Sequence, residues 1–191
     1  MSASDLKSQI SNPKFNFAII VAAGSGTRMQ SALPKQFLLL NGLPILMHTL
    51  KAFYNAEANP HLILVLNGDY HEFWRELCIK YNFLIPHQLI NGGETRFHSV
   101  KNGLGSIHHN NAIIAIHDAV RPLTASGIID HSFAYAAAHG NAITAVKSRD
   151  SIRQIRDDCT VSLLREDIYL VQTPQTFRFD VLKKAYEQLY D

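Results

Sequence analysis

An apolar run near the start of the chain leads straight into a loop of small residues. Residues 15–22 read F-N-F-A-I-I-V-A, and A-G-S-G-T-R-M follows them. A run rich in β-branched residues, without regular polar alternation, is typical of a strand that is buried on both faces of a parallel sheet. The pattern therefore predicts a central strand whose carboxyl end carries a glycine loop.

Segments with the patterns of strands and helices alternate along the rest of the chain. Short apolar runs predict strands at residues 61–66, 85–90, 112–117 and 142–146. Apolar spacing of three and four predicts helices after Pro44, at 72–81, 96–104 and 125–139, and around Leu182, Ala185, Tyr186 and Leu189. Such alternation indicates right-handed βαβ units. The expected fold is α/β: a Rossmann-like three-layer α/β/α arrangement with a mostly parallel sheet.

The predicted organisation is a single domain over residues 15–191, preceded by a loose leader over residues 1–14. Residues 147–164 depart from the alternation because they are charged and lack a helical period. Their two halves can pair as a hairpin around Asp157 and Asp158. This β-arm would protrude from the domain, and either docking on another subunit or a solvated excursion explains it.

Composition and charge exclude several classes of protein. The formal net charge is only +2 and the basic residues are dispersed, so nucleic-acid binding is not expected. Cys78 and Cys159 lack the spacing of a zinc site, and reduced thiols are the default for a cytoplasmic protein. No signal peptide is evident, and the longest apolar run, residues 17–23, is too short to cross a bilayer. We expect a cytoplasmic chain without a membrane partner.

The small-residue loop suits a polyphosphate. Gly24 and Gly26 let backbone amides approach a ligand because no Cβ stands in the way, and Arg28 and Lys35 place positive charge beside them. G-S-G-T-R-M has a methionine where G-x-G-x-x-G needs its third glycine, and it lacks the Gly-Lys-Ser/Thr ending of a P-loop. A strand-to-helix turn that merely uses small residues is the alternative.

Polar residues also follow the carboxyl ends of other predicted strands, where ligands bind in parallel sheets. The loops to search are those after Ala22, Ile90, His117 and Val146. In the loop after His117, Asp118 can hold ribose hydroxyls or a divalent metal. Arg121 can pair with a phosphate or simply with Asp118.

The loop after Ile90 reads N-G-G-E-T-R-F-H-S and combines exposed backbone with a carboxylate and a hydroxyl. That mixture can read the hydrogen-bonding edge of a base. The alternative is a glycine turn in which Thr95 or Glu94 caps the following helix. Farther along, Arg165 and Thr173 complete the set of polar candidates. Pro174 favours an extended residue before it, so that the Thr173 hydroxyl can face a ligand.

Taken together, these motifs resemble a known family. A-A-G-S-G-T-R-M, followed by L-P-K-Q-F, resembles the signature of sugar-phosphate nucleotidyltransferases. With G-G-E-T-R-F-H-S-V, H-D-A-V-R-P and Q-T-P-Q-T-F added, the set resembles the 2-C-methyl-D-erythritol 4-phosphate cytidylyltransferases of the non-mevalonate isoprenoid pathway. The likeness extends from Phe17 to the C-terminus with the motifs in order.

The resemblance implies a role for each matching residue. Arg28 and Lys35 would be the catalytic cations on the triphosphate of CTP. The nucleotide-binding residues would be Ala22, Ala23, Gly24, Ser25, Gly26, Gly93, Glu94, Ser99 and Asp118. Asp118 would also lie near Mg²⁺, the implied cofactor. Arg121 and Thr173 would face the polyol phosphate. Arg165 would reach the neighbouring subunit's site in a homodimer, with residues 147–164 as the dimerisation arm.

The implied reaction transfers the cytidylyl group from CTP to methylerythritol phosphate and releases pyrophosphate. A ribitol-5-phosphate cytidylyltransferase is the alternative, since it shares the nucleotide half, although G-G-E-T-R-F-H-S-V-K-N-G-L favours the methylerythritol branch. A Rossmann-type oxidoreductase would need the third glycine and an acidic residue at the end of the second strand. Family members normally continue past the helix that ends here at Tyr190 and Asp191, with an acidic-Ala-Ser segment and a later lysine. We therefore expect the C-terminal end of the family domain to be absent, which keeps a non-catalytic nucleotide-binding relative as a further reading.

Overall fold

A six-stranded sheet forms the centre of the molecule. The computed structural model describes residues 15–24 and 33–188. Its strands are β1 (Phe15–Ala22), β2 (Leu39–Leu40), β3 (Leu43–Pro44), β4 (His61–Leu66), β5 (Gln88–Asn91), β6 (Ala112–Asp118), β7 (Asn141–Lys147), β8 (Ile152–Arg156), β9 (Cys159–Leu163) and β10 (Tyr169–Arg178). Its helices are α1 (Ile45–Tyr54), α2 (His71–Lys80), α3 (Arg96–Gly105), α4 (Ser126–His139) and α5 (Phe179–Glu187).

The order of strands in the central sheet is β5-β4-β1-β6-β10-β7. β5, β4, β1 and β6 run parallel to one another, whereas β10 runs antiparallel to both β6 and β7. The predicted mostly parallel sheet is confirmed. The carboxyl ends of β5, β4, β1 and β6 consequently lie side by side at one edge.

Helices cover both faces of this sheet, which gives the three predicted layers. On β1, Ala18 and Ile20 face a core built with α1, α2 and α4, while Ile19 faces a second core built with α3 and α5. All three side chains are fully buried. Burial on both faces explains why the sequence of β1 is an apolar run without polar alternation.

The long strand β10 was not predicted. β10 carries Pro174, and proline within a run argues against a strand because it cannot donate to the ladder. The pairing of β10 with β7 accommodates it, since the register shifts between Val171 and Gln175. Instead of a single extended residue before the last helix, the chain forms a whole antiparallel strand there.

The predicted hairpin is confirmed. β8 and β9 pair antiparallel as a separate two-stranded sheet, and Asp157 takes a positive φ of 48° in the turn between them. Ile155, Val161 and Leu164 are exposed on this arm and just after it. Its role in dimerisation stays a prediction.

Two further outcomes concern the helices and the leader. The helix predicted after Pro44 is present as α1, and it buries Leu46, Leu50 and Phe53, whereas Tyr54 is exposed. Residues 1–14, predicted to be a leader, lie outside the described residues. Among the helices of the described ranges, none has the length and apolarity that crossing a membrane requires.

Candidate active site

A cleft of about 1010 Å³ opens at the carboxyl edge of the parallel strands. This volume is at the upper end of what small-molecule sites occupy, roughly 300–1000 Å³. The predicted residues that line it are Ala22, Ala23, Gly24, Lys35, Gly93, Glu94, Ser99, Asp118 and Arg121. The loops after β1, β5 and β6 therefore meet as the sequence predicted.

The loops that line the cleft differ from the predicted ones in two respects. Within the described part of the chain, the loop after Val146 contributes nothing to the lining of the cleft, whereas Asn67 in the loop after β4 does. β4 lies between β5 and β1, so its end is flanked by two site loops. The Asn67-Gly68 pair directly after an apolar strand was the signal that could have revealed it.

Lys35 stands at the start of a 3-10 turn, Lys35–Phe37, that is tied to β1 by Gln36. The Gln36 side chain is only 5% exposed, and its Nε2 donates to the carbonyl oxygen of Ala22 at 2.8 Å. The next residue, Phe37, packs against the rings of Tyr70 and Phe73. The turn that carries Lys35 is thus fixed on both sides to the end of β1 and to the core. Gln36 was not among the site residues predicted from the sequence.

Two adjacent glycines let the loop after β5 approach its neighbours. The Gly92 amide donates to the Leu66 carbonyl at 2.8 Å, and a Cβ at position 92 would lie 2.4 Å from the Cβ of Ala23. A Cβ at position 93 would lie 2.4 Å from the Cβ of His98. Both distances are far below van der Waals contact, so the loop depends on glycine at Gly92 and Gly93.

Ser99 holds this loop together from inside. Its side chain is 1% exposed, and its hydroxyl oxygen accepts from the Gly93 amide at 3.0 Å while donating to the Thr95 carbonyl at 2.9 Å. Thr95 is also the N-cap of α3, accepting from the His98 amide. The capping hypothesis is therefore confirmed for Thr95, and Ser99 contacts the loop backbone that faces the cleft.

Asp118 sits between two arginines. Its Oδ1 accepts from Arg96 Nη2 at 3.2 Å, and its Oδ2 accepts from Arg121 Nε at 3.1 Å. The Asp118 side chain remains 29% exposed towards the cleft. Arg121 also donates to the side-chain oxygen of Gln172. The predicted ion pair between Arg121 and Asp118 is present.

A buried histidine supports the loop that carries these groups. His117 is fully buried, and its Nε2 lies 3.2 Å from the Arg121 carbonyl oxygen, to which a neutral ring donates. Burial lowers the pKa of His117 to about 4. The Thr49 hydroxyl donates to the Ala119 carbonyl at 2.7 Å, so α1 also anchors the loop.

Comparison with known proteins identifies the family. Residues 17–190 match the family model described as IspD: 2-C-methyl-D-erythritol 4-phosphate cytidylyltransferase. The chain belongs to this family. The cytidylyltransferase of Azobacteroides pseudotrichonymphae is 48% identical over 174 residues, which cover 91% of this chain and 78% of that protein. The cytidylyltransferase of Bacteroides fragilis is 44% identical over 171 residues, covering 90% and 78%.

Solved structures of cytidylyltransferases share the fold. The synthase of 4-diphosphocytidyl-2C-methyl-D-erythritol from Anaerococcus prevotii superimposes with a TM-score of 0.79 at 27% identity, over 93% of this chain and 79% of that one. The Francisella tularensis cytidylyltransferase gives a TM-score of 0.70 at 34% identity, over 91% and 76%. The Rossmann-like assignment therefore becomes the nucleotidyltransferase variant of a three-layer α/β/α fold.

Five predicted site residues remain to be considered: Thr173, Arg165, Ser25, Gly26 and Arg28. Thr173, on β10, is buried beneath the cleft, and its Oγ1 is 3.4 Å from the Asp118 amide that donates to it. Arg165 follows the arm in an exposed turn and pairs with Glu166. Ser25, Gly26 and Arg28 lie outside the described residues. The roles predicted for all of these residues stay predictions.

The donor set of the cleft bears on the expected magnesium ion. In residues 15–24 and 33–188, no three His, Cys, Asp or Glu side chains are grouped closely enough to hold a metal. Mg²⁺ at nucleotide sites usually takes one or two carboxylates together with phosphate oxygens and water. Asp118, partly exposed in the cleft, fits that arrangement as a single protein ligand to an ion that arrives on a triphosphate.

Proposed function

We propose that this chain transfers the cytidylyl group of CTP to 2-C-methyl-D-erythritol 4-phosphate and releases pyrophosphate. The observation that carries the proposal is the cleft, in which residues of the glycine-loop, G-G-E-T-R-F-H-S-V and H-D-A-V-R-P motifs lie together around Asp118. The reaction belongs to the non-mevalonate route to isoprenoids. A cytoplasmic location remains a prediction from the sequence.

The chemistry is a substitution at phosphorus. A phosphate oxygen of methylerythritol phosphate forms a new bond to the α-phosphorus of CTP, and the bond from that phosphorus to the oxygen bridging to the β-phosphate breaks. The leaving group is pyrophosphate. Because the attacking oxygen is already anionic, the site needs no general base. Positioning and electrostatic stabilisation supply the catalysis.

We assign the side chains of Lys35 and Arg28 to binding the reacting phosphates. Lys35 lines the cleft, and the Gln36 hydrogen bond to Ala22 holds its turn against the loop that would bind the triphosphate. A fixed ammonium beside the α-phosphate stabilises the negative charge that accumulates on the phosphorus oxygens. Magnesium bound with the triphosphate would further neutralise the leaving pyrophosphate.

The loop after β5 is assigned to the base, and Asp118 to the ribose. Cytosine presents an amino group that donates hydrogen bonds, so it suits the carboxylate of Glu94 and the backbone carbonyl of Gly93. Both residues line the cleft. The Asp118 carboxylate can accept from ribose hydroxyls, since each of its oxygens offers more than one acceptor site.

The acceptor half is assigned to Arg121 and Thr173, with Arg165 contributed to the neighbouring subunit of a homodimer. Exposed apolar side chains on the arm and on the adjoining sheet support that assembly, because solvent is a poor environment for them. They include Ile155, Val161, Leu164, Leu170 and Val171.

The decisive experiment measures pyrophosphate release from CTP and Mg²⁺ with methylerythritol phosphate, and separately with ribitol 5-phosphate. We expect turnover with the first acceptor and little with the second. Release with ribitol 5-phosphate alone would select the alternative enzyme. CTP binding without release under either condition would select a non-catalytic relative, and binding of NAD(H) instead of CTP would select an oxidoreductase.

A second experiment tests the role of Lys35. We expect Lys35→Ala to reduce kcat by about 10²–10³-fold at saturating substrates, as is typical when one charge-stabilising group is removed. Lys51→Ala is the matched control, since Lys51 is exposed in the last turn of α1 and does not line the cleft. Near-normal turnover of Lys35→Ala would refute the assignment.

A further inference from the structure

Arg96 is a charged residue in the cleft to which neither the motifs nor the reaction above assigns a role. It is the first residue of α3, and its guanidinium reaches across the cleft to Asp118 Oδ1 at 3.2 Å. The second oxygen of Asp118 is taken by Arg121 at 3.1 Å. The carboxylate is therefore held by two arginines from different elements, one at the start of α3 and one in the loop after β6.

Stability does not account for this arrangement. The side chains of Arg96 and Arg121 are 48% and 41% exposed, and ion pairs at such exposure contribute little to folding because solvent screens them. What two guanidinium groups do accomplish is to fix the direction of the carboxylate between them. Each carboxylate oxygen keeps a further acceptor site. A hydroxyl in the cleft can use that site without displacing either arginine.

The backbone from which Arg96 extends is itself well anchored. Thr95 caps the helix, and the ring of Phe97 stacks on Tyr186 of α5 with centroids 4.6 Å apart and planes at 13°. Gly93 and Glu94, assigned above to the base, lie immediately before this anchored turn. The position of Asp118 is thus linked through Arg96 to the loop that would read cytosine.

We propose that Arg96 is a positioning residue for ribose recognition. It holds the Asp118 carboxylate towards the sugar hydroxyls and ties that contact to the base-reading loop. The proposal rests on the proposed function, because it assumes that CTP occupies the cleft. It differs from a direct contact between Arg96 and the triphosphate, which would strengthen binding of every nucleotide alike, whatever its sugar.

The test compares CTP with 2′-deoxy-CTP and 3′-deoxy-CTP. Dissociation constants are measured by calorimetry without acceptor, so that the result does not depend on turnover, and kcat/KM is measured with methylerythritol phosphate. We expect the wild-type chain to prefer CTP over at least one deoxynucleotide by on the order of ten-fold or more, as for loss of one hydrogen bond to a charged group. In Arg96→Ala that preference should shrink to about three-fold or less.

Arg96→Lys and Arg75→Ala complete the set of variants. Lysine keeps the charge but not the planar fork, so we expect a preference between those of the wild type and the alanine variant. Arg75 forms an exposed pair with Glu72 on α2, and its removal should leave the preference unchanged. If Arg96→Ala does not fold, Arg96→Lys decides the matter by whether its preference falls.

Each outcome bears on one claim. An Arg96→Ala variant that weakens all three nucleotides equally and keeps the wild-type preference overturns the inference in favour of a phosphate contact. A wild-type chain that binds CTP but ignores both missing hydroxyls overturns it as well, while leaving the proposed reaction intact. A wild-type chain that does not bind CTP refutes the proposed function itself.

Discussion

Replacement of Gln36 by methionine tests how the site holds Lys35. Methionine roughly preserves the volume of the side chain but cannot donate a hydrogen bond. In the native chain, the Gln36 side-chain amide donates to the Ala22 carbonyl oxygen at 2.8 Å, and Gln36 is only 5% exposed. A buried acceptor that loses its partner costs about 1–3 kcal/mol. For a chain of this size, a loss of about 2 kcal/mol lowers Tm by roughly 4–8 °C.

The same change should affect catalysis more than its stability cost suggests. The 3-10 turn that begins at Lys35 loses its tie to the end of β1, and displacement of a positioning group by about 1 Å can cost up to about 10²-fold in rate. We expect kcat for pyrophosphate release to fall by about ten-fold or more. Thermal unfolding and steady-state kinetics on the purified variant measure the two effects.

Gln88→Met is the matched control for Gln36→Met, because Gln88 is an exposed glutamine on the edge strand β5, away from Lys35. It should change neither Tm nor kcat appreciably. If Gln36→Met is as stable and as active as Gln88→Met, the buried hydrogen bond does not position Lys35 and the reasoning fails.

Two further predictions concern the loops and the pH dependence of folding. Gly92→Ala should lower the free energy of unfolding by about 1–3 kcal/mol through overpacking, because the new Cβ would lie 2.4 Å from the Cβ of Ala23. The control in thermal unfolding is Gly105→Ala, whose new Cβ would have no neighbour within 4 Å. Equal Tm values for the two variants would contradict the steric argument. Burial lowers the pKa of His117 from 6.5 to about 4, so the unfolded chain binds a proton that the folded chain does not, and stability should fall as the pH drops from 6.5 to 4. The loss is roughly 3 kcal/mol at pH 4 in denaturant titrations, and a His117→Gln variant with an unchanged slope would assign it to other groups.

Much of the fold could be read from local patterns. β1 was predicted with its observed bounds, Phe15–Ala22. A strand that is buried on both faces has a nearly continuous apolar sequence, and this pattern is visible without the structure. The arm was predicted from its two halves and the turn at Asp157. β10 was missed, since Pro174 interrupts its pattern and its stability comes from pairing with β6 and β7 on either side.

The candidate site divides in the same way. Gly93 and Asp118 were expected to share a cleft, because the ends of parallel strands gather at one edge of the sheet, and the structure places both there. The contact of Arg96 with Asp118, 22 residues away, and that of Gln36 with Ala22 were not expected. No motif spacing specifies either contact.

The sequence by itself determined which segments form strands and which loops carry polar chemistry, because hydrophobic periodicity and glycine are local properties of the chain. Only the tertiary structure decided which polar groups touch across loops that are far apart in the chain. The order β5-β4-β1-β6 sets the distances between the loops, and it follows from packing across the whole sheet. Hydrogen bonds form only within about 3 Å, so Arg96 of α3 can reach Asp118 of β6 only once the strands are in that order.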